Sequence, residues 1–184
     1  EVVGLDKTDN LLLEKKLKNL IGLSIFTISK NSFKFINSEN LINKYHVKKI
    51  YPNHIKVYLE SAVAISVIKY LNELFILGNN GKIINLKSFP SNIPEVNGTN
   101  DIEKIFETIK IINESNFNIS NVKKIIFFPS ERIDIVLENK KKIRFPINFT
   151  VRNLNFSLRL IEDEVFNESK IIDLRIPNKV ITYD

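Results

Sequence analysis

The sequence contains no cysteine, and several other residues that carry chemistry are absent or scarce. Without cysteine there is no disulfide framework, no thiolate nucleophile and no cysteine-ligated metal cluster. Only five glycines occur, and they form neither of the two glycine-rich patterns that cradle phosphates. Methionine is also absent, and the chain opens inside the apolar pair Val2-Val3. We therefore expect the natural N-terminus to lie upstream of Glu1, where a tail, a signal or a membrane anchor could precede it.

Long hydrophobic runs are missing as well. The longest uncharged apolar stretch covers residues 61–68, whereas a membrane-spanning helix needs about 20 residues. The 184 residues, of which 43% are hydrophobic and 26% charged, suffice for one domain or two small ones. The net charge of +6 is spread along the chain, and the one tight run, Lys140-Lys141-Lys142, falls at a predicted hairpin tip. We interpret this charge as a solvated basic surface rather than a nucleic-acid site.

No catalytic or metal-binding constellation is visible in the sequence. The only two histidines, His46 and His54, flank a predicted turn at Pro52 and have no carboxylate at ligand spacing. No GxSxG elbow occurs. Some carboxylate pairs fall on polar faces of predicted elements and are expected to be exposed, such as Asp134 with Glu138 and Glu162 with Glu164. The sequence thus predicts a protein that is not an enzyme and uses no metal or cofactor.

The first part of the chain predicts a small α+β domain over residues 1–68. Leucines at helical spacing lead up to Gly22, which suits a helix C-cap. Apolar and polar residues alternate over 55–59, as in a strand with one buried face. The predicted elements are, in order, a strand at 2–3, a helix ending at Gly22, a helix over 32–44, and strands at 47–50 and 55–59. Two helices could cover one face of this three-stranded sheet.

The second part, residues 69–184, predicts a mostly antiparallel β domain with two helices. The Asn80-Gly81 pair favours a hairpin between strands at 74–77 and 82–86, and a proline-rich connector follows from Phe89. Asn100 with Glu103 resembles a capping box. The further predicted elements are a helix with an apolar stripe over 102–112, strands at 122–128, 132–137 and 143–145, a helix over 151–166, and a last strand over 171–182 interrupted by Pro177-Asn178.

Four residue strings, taken together, resemble a known family. They are VKKIYPNHIKVYLE at 47–60 followed by Ala64; NGKII at 80–84 with IPEVNG at 93–98; ERIDIVLEN at 131–139; and IDLRIPN at 172–178. In this order and spacing they are similar to segments of the bacterial cell-division family FtsQ, called DivIB in Gram-positive bacteria, and more so to its Gram-negative form. The chain departs from the family pattern at Ser61, Val63, Ile133, Ile176 and Lys179.

The resemblance implies a POTRA domain followed by a β domain, both in the periplasm, behind a single-pass anchor in the inner membrane. It also implies a scaffold of the division machinery without catalytic activity. In the family the C-terminal strand receives the small single-pass partner FtsB, which acts together with FtsL. The residues expected to present side chains along this free edge strand are Arg175, Ile176, Asn178, Val180 and Thr182. Of these, Arg175 would anchor an acidic partner side chain.

Other interpretations stay open at this point. Asp173-Leu174-Arg175 could be an internal strand whose ion pair maintains the fold. The apolar residues of 55–59 are expected to pack in the core, so any contact by this domain would use its polar face, such as Lys56 and Tyr58. As whole-protein alternatives, the chain could be a POTRA-bearing factor that hands polypeptides to an assembly machine, or a basic nucleic-acid-binding module.

Overall fold

A computed structural model describes residues 1–85 and 90–183. The chain divides into two compact units. One comprises Glu1–Val63 together with Gly78–Asn85, and the other comprises Ala64–Leu77 and the described residues of Leu86–Asp184. The boundary predicted between residues 68 and 69 lies inside the fourth strand, Ala64–Tyr70.

The first unit contains a three-stranded sheet and three helical segments. Its elements are β1 (Val2–Val3), α1 (Lys7–Lys16), 3₁₀ helices at Lys18–Leu20 and Lys30–Ser38, β2 (Ile42–Ile50) and β3 (His54–Ser61). The strand order is β1-β3-β2, with β1 parallel and β2 antiparallel to β3. One apolar core joins these elements, with Leu13 of α1, Phe33 and Ile36 of the longer 3₁₀ helix, and Val57 of β3 nearly inaccessible to solvent.

The longer 3₁₀ helix of this unit, Lys30–Ser38, differs from the helix predicted there. It is a 3₁₀ helix that ends at Ser38, whereas the sequence predicts a helix over 32–44. Phe33 and Ile36 do lie inward, as the apolar spacing indicates. The chain leaves the helix because Ile42 opens β2, which pairs with β3 from Ile42 opposite Ser61 to Ile50 opposite His54. A long antiparallel ladder outweighs the local helical pattern here.

Over the residues that the structure describes, the larger sheet has nine strands. They are β4 (Ala64–Tyr70), β5 (Glu73–Gly78), β6 (Ile83–Ile84), β7 (Glu95–Asn97), β8 (Val122–Phe127), β9 (Ile133–Leu137), β10 (Lys142–Phe145), β11 (Ile171–Asp173) and β12 (Ile181–Tyr183). Their order is β12-β11-β10-β9-β8-β7-β4-β5-β6. A small sheet with helices and a larger β domain confirm the predicted α+β class. Leu86 and Phe89, which the sequence places in a strand and in the connector, lie outside the described residues.

Helices make the crossovers of two of the three parallel pairs described in this sheet, and the third pair, β4 with β7, is joined through β5 and β6. The helix α2 (Ile102–Glu114) joins β7 to β8, and α3 (Val151–Glu162) joins β10 to β11; both strand pairs are parallel. The helices contact each other, and just after α2 the backbone N–H of Asn116 donates to Asn155 Oδ1 of α3 at 2.8 Å. Beneath them a buried row crosses six neighbouring strands: Ile68, Val96, Ile125, Ile135, Ile143 and Ile172.

Candidate partner-binding edge

The C-terminal segment is a hairpin, not the single strand predicted over 171–182. Ile171 lies opposite Tyr183, and Asp173 lies opposite Ile181. The reversal occurs at Pro177-Asn178, where the backbone N–H of Lys179 donates to the carbonyl of Ile176 at 3.2 Å. Proline suits the second position of such a turn, and Asn178 has a positive φ of 59°, which asparagine tolerates well. The interruption that the sequence shows at these residues is therefore the turn itself.

The hairpin corrects the predicted position of the free edge. The strand β11 is hydrogen-bonded on both sides, in parallel to β10 and antiparallel to β12, so it offers no open rim. Among the described residues, β12 is the outermost strand at this end of the sheet, and all three of its residues are exposed. Alternate backbone N–H and C=O groups of an outermost strand point away from the sheet without a partner.

The five predicted edge residues are thus divided between two places. Ile176 and Asn178 are exposed residues of the connection between the two strands, and Val180 and Arg175 are half-buried there. Only Thr182 lies in β12. The prediction that Ile176 to Thr182 run along one edge strand is wrong, because the turn breaks the extended backbone.

The two faces of β12 differ in chemistry. Thr182 lies opposite Ile172, so it is on the same face as the buried apolar row, but it is polar and exposed. Ile181 and Tyr183 are on the other face, where Ile181 lies opposite Asp173. A partner strand added to β12 would therefore meet Ile181 and Tyr183 beside charged side chains on one face and the hydroxyl of Thr182 on the other.

Acidic and basic side chains form an ionic row on the face of Ile181. Cross-strand neighbours place Asp134 of β9 beside Arg144 of β10, and Arg144 beside Asp173 of β11. Arg144 lies 3.9 Å from the Asp134 carboxylate and 3.5 Å from the Asp173 carboxylate. Its guanidinium also lies 5.4 Å from the centre of the Tyr183 ring, a cation–π contact that ties β12 to the row.

Arg175 is engaged within its own unit. Its Nε donates to Asp173 Oδ1 at 2.8 Å and its Nη2 donates to Oδ2 at 2.6 Å, a bidentate pair. Burial alone would raise the pKa of Asp173, but the hydrogen bonds from the Arg175 side chain and backbone hold that pKa below its ordinary value. The same pair raises the pKa of Arg175. This is the fold-maintaining ion pair of the alternative interpretation, although 36% of the Arg175 side chain remains exposed to solvent.

Asp134 is buried, contrary to the expectation that it is an exposed surface carboxylate. It is 1% exposed, and burial raises its pKa, against the opposing charges of Arg132, Lys142 and Arg144. Among the described residues, Asp134 Oδ1, Arg132 Nε and Arg144 Nε are buried without a hydrogen-bond partner. The sequence signal that could have found this carboxylate is Arg132-x-Asp134 on one strand face, because long basic side chains can cover a short acidic one.

A groove of about 1290 Å³ runs between α3, from Val151 to Arg159, and the connection from β11 to β12. Its lining includes the exposed apolar residues Phe156 and Ile176. Within the described part of the chain, the charged residues that line it are all basic: Arg152, Arg159, Arg175 and Lys179. The groove therefore suits an acidic segment with apolar side chains.

The polar residues of the first unit that the sequence analysis singles out form no metal site within the described part of the chain. His46 and His54 are both exposed, and Lys56 stacks over Tyr58 with its Nζ 5.5 Å from the ring centre. Within residues 1–85 and 90–183, no group of three metal-ligating side chains comes together. Over the same residues, no helix combines the length and the apolar character needed to cross a bilayer.

Comparison with known proteins gives little further constraint. No protein-family model matches this chain, and no curated protein matches it either. Among solved structures, it is similar to the major extracytoplasmic domain of the trans isomer of the cell-division protein DivIB from Geobacillus stearothermophilus. The identity is 19% and the TM-score is 0.39, with 52% of this chain and 84% of that chain covered. A TM-score this low establishes neither a shared fold nor a shared function.

Proposed function

We propose that this chain is the periplasmic part of a non-enzymatic cell-division scaffold of the FtsQ type, anchored in the inner membrane. Its β12 edge receives a strand from a small single-pass partner of the FtsB and FtsL kind. The observation that carries the proposal is the exposed, outermost β12 at the end of the sheet, directly behind the IDLRIPN string at 172–178. The order and spacing of the four strings support the family assignment.

Strand addition explains how such an edge binds a partner. Backbone hydrogen bonds to β12 supply affinity that depends little on sequence, while side chains on the two faces supply specificity. On one face, partner residues would contact Ile181 and Tyr183 beside the ionic row. Acidic residues next to the added strand would face the basic groove along α3.

Arg175 acts in this account through Asp173 rather than as a free anchor. The bidentate pair holds the start of the connection in place, and the exposed part of the guanidinium stays available to a partner carboxylate. Charge reversal at Arg175 would set two carboxylates together and damage the fold. A test of partner binding must therefore use exposed residues instead.

The test is binding of the purified chain to a peptide from the extracytoplasmic part of the FtsB-like partner. We expect Ile181→Ser with Tyr183→Ser to weaken binding by at least about tenfold, because both side chains flank the docking edge. Lys179→Glu should weaken it less, through the groove charge. Val165→Ser is the matched control for the double variant, since Val165 is 80% exposed and lies outside the edge and the groove. Equal affinity of the double variant and the parent chain would refute the edge as the docking site.

A further inference from the structure

Large apolar side chains protrude from the segment between the two longer helical stretches of the first unit. Ile21 is 80% exposed, Phe26 76% and Leu23 56%. The ring of Tyr51, in the turn from β2 to β3, lies 5.3 Å from the ring of Phe26. We call Ile21, Leu23, Phe26 and Tyr51 the apolar tip. Exposed hydrophobic residues gathered in this way mark an interaction surface more often than scattered ones do.

The apolar tip is held in place by the fold. Ile25 and Ile28 point into the unit, where each is nearly inaccessible to solvent. Lys49 Nζ donates to the carbonyls of Ile25 at 2.7 Å and Ile28 at 2.6 Å. These contacts fix the segment with one set of side chains inward and Phe26 outward. The outward residues also line a cavity of about 940 Å³ that extends along α1 to Leu11.

The charge around the apolar tip has one dominant sign. Between residues 15 and 59 the chain carries nine lysines and a single acidic residue, Glu39, which is paired with Lys16. Lys15 and Lys18 line the same cavity as the tip. Two carboxylates also line it, and both are engaged. Glu14 accepts the backbone N–H of Val2 at 2.9 Å, and Glu1 pairs with Lys56 at 3.1 Å.

We propose that the apolar tip is a membrane-surface anchor that inserts into a bilayer rich in anionic lipids. Aliphatic and aromatic side chains next to a lysine-rich segment are the combination that holds peripheral proteins at the lipid interface. The apolar residues enter the headgroup boundary, while lysines reach headgroup phosphates with their flexible stems. From the sequence alone, the positive charge is interpreted as a solvated surface. In this proposal it instead meets the negative charge of the lipid headgroups. This site is separate from β12, so its test is independent of partner-strand binding.

The absence of tryptophan in the chain allows a direct test of insertion. Phe26→Trp places a single tryptophan in the apolar tip, and Val165→Trp places one at an equally exposed position outside it. With vesicles of phosphatidylglycerol and phosphatidylcholine, we expect the emission of the Phe26→Trp chain to shift to shorter wavelength and to be quenched by brominated acyl chains. The Val165→Trp chain should show neither effect. An unchanged Phe26→Trp spectrum would overturn the proposal.

Vesicle flotation tests the two parts of the anchor separately. The chain should float with the anionic vesicles and stay behind with phosphatidylcholine alone. Replacing Ile21, Leu23 and Phe26 by serine should lower the partition by about tenfold for each side chain removed. The matched control replaces Leu71, Ile147 and Val165, which are also exposed and apolar, and should float normally. Equal flotation of both triple variants, or equal binding to both vesicle types, would contradict a charged lipid anchor and leave a protein partner as the occupant of the tip.

Discussion

Two carboxylates of one ionic row have pKa values that are shifted in opposite directions by their surroundings. Asp173 receives a bidentate pair from Arg175, whereas Asp134 is enclosed by basic side chains that approach to 3.9 Å without a hydrogen bond to Oδ1. Hydrogen bonding to the charged form therefore lowers the pKa of Asp173 against the effect of burial, while burial raises the pKa of Asp134. The two residues should therefore affect the pH dependence of the unfolding free energy in opposite ways.

Asp173→Asn should destabilise the chain at neutral pH by about 1–3 kcal/mol, because Arg175 loses its charged acceptor. A lowered folded pKa contributes stability above the unfolded value of about 3.9, and this contribution is lost as the pH falls below it. Urea unfolding of parent and variant at several pH values measures the effect. The difference in unfolding free energy between parent and variant should become smaller toward acidic pH. A difference that does not change with pH would show that the ion pair does not contribute through its charge.

Asp134→Asn should behave in the opposite way. A raised folded pKa means that the neutral form suits the fold, so stability is present below the unfolded pKa and is lost as the pH rises through the folded one. The amide variant should therefore be as stable as the parent chain or more stable at neutral pH, with no advantage at acidic pH. Strong destabilisation at neutral pH would instead assign the larger contribution to the attraction of Arg132 and Arg144.

Gly98 is required by a close approach of two strands. It has a φ of +87°, and a Cβ there would lie 2.0 Å from the carbonyl oxygen of Phe127. We expect Gly98→Ala to cost more than about 2 kcal/mol of unfolding free energy. Gly81→Ala is the matched control, because its φ is also positive, at +73°, but no atom lies within 4 Å of the added methyl. Thermal melts of both variants test this, and similar melting temperatures would contradict the steric reason.

At the scale of elements, the residue that caps the N-terminus of α2 differs between the sequence prediction and the structure. The sequence pairs Asn100 with Glu103, but in the structure Asp101 is the cap, and its side chain accepts the backbone N–H of Lys104 at 3.1 Å. Asp101→Ala should cost about 1 kcal/mol, whereas Asn100→Ala should be nearly neutral. Chemical denaturation distinguishes the two. A larger loss in the Asn100 variant would restore the capping box inferred from the sequence.

Elements with strong local signals could be predicted from the sequence. The apolar stripe of α2, the alternation in β3 and the lysine tip between β9 and β10 depend on periodicity and turn residues, which act over a few positions. The extent of the second helix and the path of residues 171–183 could not, because each depends on pairing with distant strands. In the hairpin, Pro177-Asn178 was visible as an interruption, yet only the pairing with β11 shows that the chain reverses there.

For the candidate site, the sequence identified the region but not the contacts. The IDLRIPN string led to the C-terminal edge, and Thr182 does lie in the outermost described strand. The prediction of the edge residues assumes one continuous strand and therefore gives Ile176, Asn178 and Val180 the wrong conformation. Arg144 was missed because its two carboxylate neighbours come from β9 and β11, which only the sheet order brings to either side of it.

At the scale of the whole molecule, the two proposed binding surfaces differ in kind and belong to different units. The second unit offers a backbone edge with a basic groove, and the first offers the apolar tip in its lysine-rich segment. Neither needs a catalytic group, a metal or a cofactor to work. A scaffold that joins a partner strand at one site and a lipid surface at another would use both units without chemical turnover.

Amide hydrogen exchange of the chain, free and with the extracytoplasmic part of an FtsB-like partner, tests the central claim most directly. We predict that the outward backbone amides of β12 exchange rapidly in the free chain and become protected when the partner binds. The amides of β11 are paired on both sides already and should change little. Partner binding with no added protection in Ile181–Tyr183 would contradict strand addition at this edge.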